Sequence, residues 1–265
     1  MGTYLGIFKM QFKGELQYRA KALSGIVTQL FWGIMYVCLY TAFMKNGTVN
    51  GFTLAQMTTY VWLGQAFYSV KYVGIGKNVA KEIVSGDVCY KFTKPIDLYN
   101  LWFSEYLGEK LSSILLRFPL VVVVAFLLPA GWGLSLPASF WALVLFLVSM
   151  VIALFTVVAI SMFTVNLIFK TQSQKGVVVI ITTLCSILNG SFIPMPLLPQ
   201  SVQNVLNYLP FRFTADLPFR IYMGNVSLTD GLIAIGMSIV WLVILVVVGK
   251  LLIKKSLKKV VIQGG

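Results

Sequence analysis

Residues 140–169 read FWALVLFLVSMVIALFTVVAISMFTVNLIF, thirty residues without a single charge. About twenty apolar residues cross the hydrocarbon region of a bilayer as a helix, so this stretch spans a membrane unaided. Residues 231–249, GLIAIGMSIVWLVILVVVG, repeat the pattern and are also free of charge. Working outward, six spans are expected at about 23–43, 53–73, 111–129, 139–165, 177–193 and 230–249. Composition agrees: 58% of the 265 residues are hydrophobic and only 11% are charged, where a soluble domain carries about 25%. The fold class is therefore all-α integral membrane, with residues 1–265 read as a single transmembrane domain.

The fifth span is interrupted. Asn189, Gly190 and Ser191 precede Pro194, Pro196 and Pro199; proline removes a backbone donor and clashes with the preceding turn, so the helix should end there. The outer segment beyond it, residues 190–228, is proline-broken yet still apolar. Before the first span, residues 3–21 form a basic helix with Leu5, Phe8, Phe12 and Leu16 on one side, suited to the headgroup plane. No cleavable signal is expected, because the first apolar run begins near Leu23 and is long enough to span. Between the second and third spans, a short helix over KNVAKEIV (77–84) should stop at Ser85 and Gly86. A second helix should start after Asp97, a natural cap. Trp102, Trp132 and Trp141 fall where interfacial tryptophans belong.

The net charge of +13 would suggest nucleic acid in a soluble protein. Its placement argues otherwise. With the N-terminus inside, the inner segments hold fifteen lysines and arginines, from Lys9 through Lys259, and the outer segments hold three, Lys45, Arg212 and Arg220. That bias puts both termini in the cytoplasm and assigns the charge to membrane lipid rather than nucleic acid. Arg117 lies about two turns into the third span, where snorkelling to the inner surface would accommodate it. Arg212, Asp216 and Arg220 stand four apart and would share one face of a surface helix, which Pro218 could break.

Missing chemistry narrows the function. Without histidine, histidine-based triads and most zinc sites are excluded, and Cys38, Cys89 and Cys185 lack metal or disulfide spacing. No metal site is expected. GIGKN at 74–78 lacks the first glycine of a phosphate-binding loop and ends in asparagine, so the chain should carry no cofactor and no ATPase of its own. No acidic residue falls in the middle of an expected span, which weakens an ion-coupled carrier.

The order of these features is similar to the type-2 ABC exporter permeases. The segments that carry the resemblance are YVWLGQAF (60–67), EIVSGD (82–87), KPIDLY (94–99), GSFIP (190–194) and LPF (209–211), and it runs over essentially the whole chain. The resemblance implies a permease in a bacterial plasma membrane, paired with an identical or paralogous second permease and a cytoplasmic ABC ATPase that holds ATP and magnesium. It implies a coupling helix at about 76–87, with Lys77, Lys81, Glu82, Gly86 and Asp87 meeting the ATPase and Ile83 as apolar anchor. It further implies re-entrant helices that close the pathway outside, with Gly190, Pro194, Pro196 and Pro199 in the gate. The substrate would be apolar or amphipathic: a drug, a peptide or a lipid-like molecule. Phe31, Trp62 and Phe67 are candidate pathway-lining residues. An ATP-independent carrier or channel, or a membrane scaffold, is the alternative.

Overall fold

The computed structural model describes residues 2–44, 48, 50–71, 73–91 and 95–258; the side chains of Lys71, Lys77 and Asn78, and the whole of Lys45, Lys94 and Lys259, lie outside the described set. Among the described residues every regular element is helical. In chain order the α-helices are α1 (Gly2–Leu16), α2 (Arg19–Phe43), α3 (Leu54–Ala66), α4 (Tyr68–Lys71), α5 (Lys77–Ser85) and α6 (Leu98–Leu127). They continue with α7 (Phe140–Thr171), α8 (Gln174–Leu188), α9 (Gln200–Leu206), α10 (Asp216–Tyr222) and α11 (Leu228–Leu257). Local chemistry sets many of the ends. Thr53 and Gln56 form a reciprocal capping box on α3, and Asp97, Ser139 and Ser227 accept backbone N–H groups at the starts of α6, α7 and α11. Gly86 ends α5 at φ 82°, left-handed backbone that glycine adopts without strain.

Among the described residues four helices, α2, α6, α7 and α11, are long and apolar enough to cross a membrane, while α8 has 15 residues. The second expected span is not one helix. It is the 13-residue α3 and the four-residue α4, broken at Phe67, with neither proline nor glycine at the break. Tertiary contacts explain it. The Phe67 ring packs against Phe118 and Phe146, with centroids 4.7 and 5.6 Å away. Beyond it, backbone carbonyls find side-chain donors instead of helical ones: Lys110 Nζ donates to Ser69 O at 2.8 Å and Thr182 Oγ1 to Val73 O at 2.7 Å. Each buried carbonyl needs a partner, and these are supplied from α6 and α8.

α7 is the axis of the molecule. It packs most extensively on α11 and also meets α4, α5, α6, α8 and α10. Small and hydroxylated residues line it where neighbours come close, as suits helix packing in lipid: Ala153, Ala159, Thr156 and Ser161 are all fully buried. Near its start, Phe146, Met150 and Leu154 join a core with Trp62, Phe213 and Phe219. Near its end, Met162, Val165 and Ile168 join a second core with Ala80, Ile83, Trp102 and Ile253. Thirty-two residues at about 1.5 Å each separate the two ends by roughly 48 Å. A buried bond from Ser256 Oγ to Asn166 Oδ1, 2.6 Å, ties α11 to this lower part of α7.

α1 lies along α6 on a face that overlaps the one the apolar pattern marks: Phe8, Phe12 and Leu16 are half-buried. Leu5 is exposed, whereas Tyr4 and Ile7 reach the second core. Gly108 permits the approach: a Cβ there would sit 2.8 Å from Phe8 O and 3.2 Å from Phe12 N. Tyr4 Oη accepts the Asp97 N–H at 2.9 Å, fixing α1 to the start of α6. Trp102, expected at the interface, is instead inside the second core and 1% exposed, with the Phe169 ring of α7 6.0 Å away between centroids.

Candidate functional site

Two places hold most of the residues singled out by the sequence, and they lie on opposite halves of α7. At its C-terminal end, α5 is strongly amphipathic. Its apolar side, Ala80 and Ile83, is buried in the second core, so Ile83 is an internal anchor and not an exposed one; α7 and α8 occupy the groove that an external partner would have to offer. Glu82 is held by Lys91 at 2.6 Å. The side facing away carries Lys81, Val84, Ser85, Gly86 and Asp87, all exposed. Ser85 Oγ and Asp87 Oδ2 lie 2.6 Å apart, which stiffens the turn. Tyr90, in the following 3-10 turn, is 77% exposed. Val84 and Tyr90 are the apolar surface here. The helical period could have marked Val84, whereas Tyr90 depends on the unforeseen turn at Asp87–Lys91.

At the other end, α8 stops at Leu188 and Gly190 turns at φ 77°. A Cβ on Gly190 would lie 2.7 Å from Tyr60 Oη and 3.2 Å from Met195 N, so glycine is required by both conformation and space. Pro194 and Pro196 are buried around a 3-10 turn, Met195–Leu197, and Pro199 precedes α9. A second 3-10 turn, Pro210–Thr214, leads into α10, and both pack on α7.

Asp216 organises this segment. The expectation of a surface ion-pair helix is wrong here: Asp216 is 0% exposed. Arg220 Nε lies 2.9 and 3.0 Å from its two oxygens and Arg212 Nε lies 3.4 Å away. Tyr60, from α3, places Oη 3.3 Å from Asp216 Oδ1. The three charged residues do not share one helix, because α10 begins at Asp216 and Arg212 belongs to the preceding turn. Pro218 therefore sits in a first helical turn, where its missing N–H costs nothing. Arg220 also donates to Gln203 Oε1 at 3.3 Å and stacks over Phe52, 5.3 Å from the ring centroid. The network joins α3, α9 and α10 around one carboxylate.

Two cavities share Ser191 in their walls, and only the smaller borders this network. A small one, of about 30 Å³, borders Tyr60, Gly190, Pro194 and Phe219. A larger one, of about 460 Å³, borders α2, α6 and the end of α8 and includes Trp32 and Tyr68. Of the three aromatics expected to line a pathway, Trp62 is 1% exposed with Nε1 donating to Trp132 O at 2.7 Å. Phe67 is in the core, and Phe31 is 62% exposed on the outer surface of α2. Among the described residues no cluster of groups suited to holding a metal occurs.

Long apolar helices around a buried axis define a multi-pass α-helical membrane protein. A family model described as ABC-2 family transporter protein matches residues 30–264. The chain belongs to that family and is a permease component of an ABC transporter, of the type-2 class, whose permeases work with an ATPase subunit. No curated protein matches closely enough to stand as a relative.

Proposed function

We propose that this permease crosses the bacterial plasma membrane six times, with both termini in the cytoplasm. The crossings are α2, α3 with α4, α6, α7, α8 with the segment after it, and α11. Two permeases, identical or paralogous, pair with two copies of a cytoplasmic ABC ATPase that binds ATP and magnesium. Together they export an apolar or amphipathic substrate.

The observation that carries this reading is the gathering of basic elements at one end of α7. α1, α5, the start of α6 and the end of α11 all pack on the second core, bringing Lys9, Lys13, Lys81, Lys91, Lys254 and Lys255 to the same end. Such a concentration belongs on the cytoplasmic side. The exposed rim of α5, from Lys81 to Asp87 with Tyr90, is then the surface offered to the ATPase. The broken segment 190–222 is the outer gate, closed by Asp216 and Tyr60. ATP shifts the permease only because it binds one state of the ATPase pair better than the other; α5 follows that motion and α7 carries it to the gate.

Reconstitution tests the reading. Proteoliposomes holding permease and ATPase should move a fluorescent amphiphile only when ATP is supplied. Equal transport by the permease alone, under an ion gradient without ATP, would contradict it.

A further inference from the structure

The cavity of about 460 Å³ between α2, α6 and the end of α8 has a composition that packing alone does not explain. Trp32, Tyr36 and Phe192 give it aromatic walls, and Gln29, Arg117 and Ser191 add polar groups. Gln29 is 4% exposed, yet neither its amide nitrogen nor its amide oxygen has a hydrogen-bond partner. The same is true of Ser191 Oγ and Arg117 Nε. A buried polar atom left unpaired bears its whole desolvation cost, and three residues from three separate elements bear it around one space.

Arg117 reaches α2. Its guanidinium lies across α2 at Gly25, where a Cβ would come within 2.6 Å of Cζ. Glycine at that position leaves room for the cation beside the cavity. No carboxylate lines the cavity among the described residues, so an anion meets a positive wall. A charged residue within a membrane-crossing helix is a functional group by default, and pockets of this size suit drug-sized molecules.

We propose that this cavity binds an amphipathic anion. Its carboxylate or phosphate head lies at Arg117 with hydrogen bonds to Gln29 and Ser191, and its apolar body lies against Trp32, Tyr36 and Phe192. The assignment rests on the permease reading and gives its substrate a chemical class.

The test is binding of 11-(dansylamino)undecanoic acid and of its methyl ester to the full-length permease in phosphatidylcholine nanodiscs, read by dansyl fluorescence against empty discs. The acid should bind about tenfold or more tighter than the ester, as expected for a charge-assisted hydrogen bond. Arg117→Gln should abolish that preference and Arg117→Lys should keep part of it, which separates lost charge from lost folding. Gly25→Leu, which fills the space, should weaken both forms. Equal binding of acid and ester, or a preference that survives Arg117→Gln, overturns the proposal. Phosphatidylglycerol titrated into the disc displaces the acid if the natural occupant is a bilayer lipid and leaves it bound if the occupant is a solute; the Arg117 dependence supports the site in either case. The assay contains no ATPase, so its failure leaves the permease reading standing. Arg117-dependent binding without any change in ATP turnover by the full complex would count against that reading instead.

Discussion

Asp216 is fully buried between two guanidinium groups and a phenol, and that arrangement sets the cost of removing each partner. Asp216→Ala leaves Arg212 and Arg220 largely buried without their counter-charge, which should cost about 3 kcal/mol. Tyr60→Phe removes one neutral donor and should cost about 1 kcal/mol. Thermal unfolding in detergent distinguishes them: a large fall in midpoint for the first and a small one for the second, whereas equal midpoints would remove Asp216 from the centre of the network. Lys110→Met keeps the bulk of a buried side chain but strips Ser69 O of its donor, so a loss of about 1–3 kcal/mol is expected by the same measurement. The sequence shows part of this. The spacing of Arg212, Asp216 and Arg220 is visible, but Tyr60 stands 156 residues away and no local pattern marks it. Burial of Asp216 comes from how the broken segment folds back onto α7, which spacing does not encode.

Elements whose ends carry capping chemistry were the most legible ones. α5 stops where Ser85 and Gly86 say it should, α6 starts at its Asp97 cap, and the charge-free runs lie within α7 and α11. The break at Phe67 was not legible, because packing by Phe118 and Phe146 and donors from Lys110 and Thr182 end the helix, not a residue that breaks helices. The face of α1 was legible in part: Phe8, Phe12 and Leu16 are half-buried but Leu5 is exposed, because Gly108 on α6 decides where α1 docks. Gly108→Val should therefore lift α1 from α6, since the new side chain would overlap the Phe8 carbonyl. Limited proteolysis should then cut α1 much faster than in the parent, and an unchanged digestion rate would count against that docking. At Gly86, alanine must adopt φ 82° and should cost about 1 kcal/mol. The readout is the unfolding midpoint, with the secondary-structure signal retained.

For the whole molecule, α7 links two sites roughly 22 Å apart along its axis, with α5 braced against residues 162–168 and the segment of the Asp216 network against residues 146–154. The composition and the loop charges were enough to read a polytopic membrane protein. Which side of α5 is free was hidden until the second core was seen, because Ile83 faces inward and Val84 outward. The central claim is that a partner ATPase drives this permease through the exposed rim of α5. Lys81→Glu combined with Val84→Asp alters that rim without touching the core, and Lys13→Glu combined with Met10→Asp on the exposed side of α1 serves as a charge-matched control. The measurement is the amount of ATPase that co-purifies with affinity-tagged permease after co-expression. The account predicts that the α5 variant loses the ATPase while the α1 variant retains it; equal retention by both would contradict it.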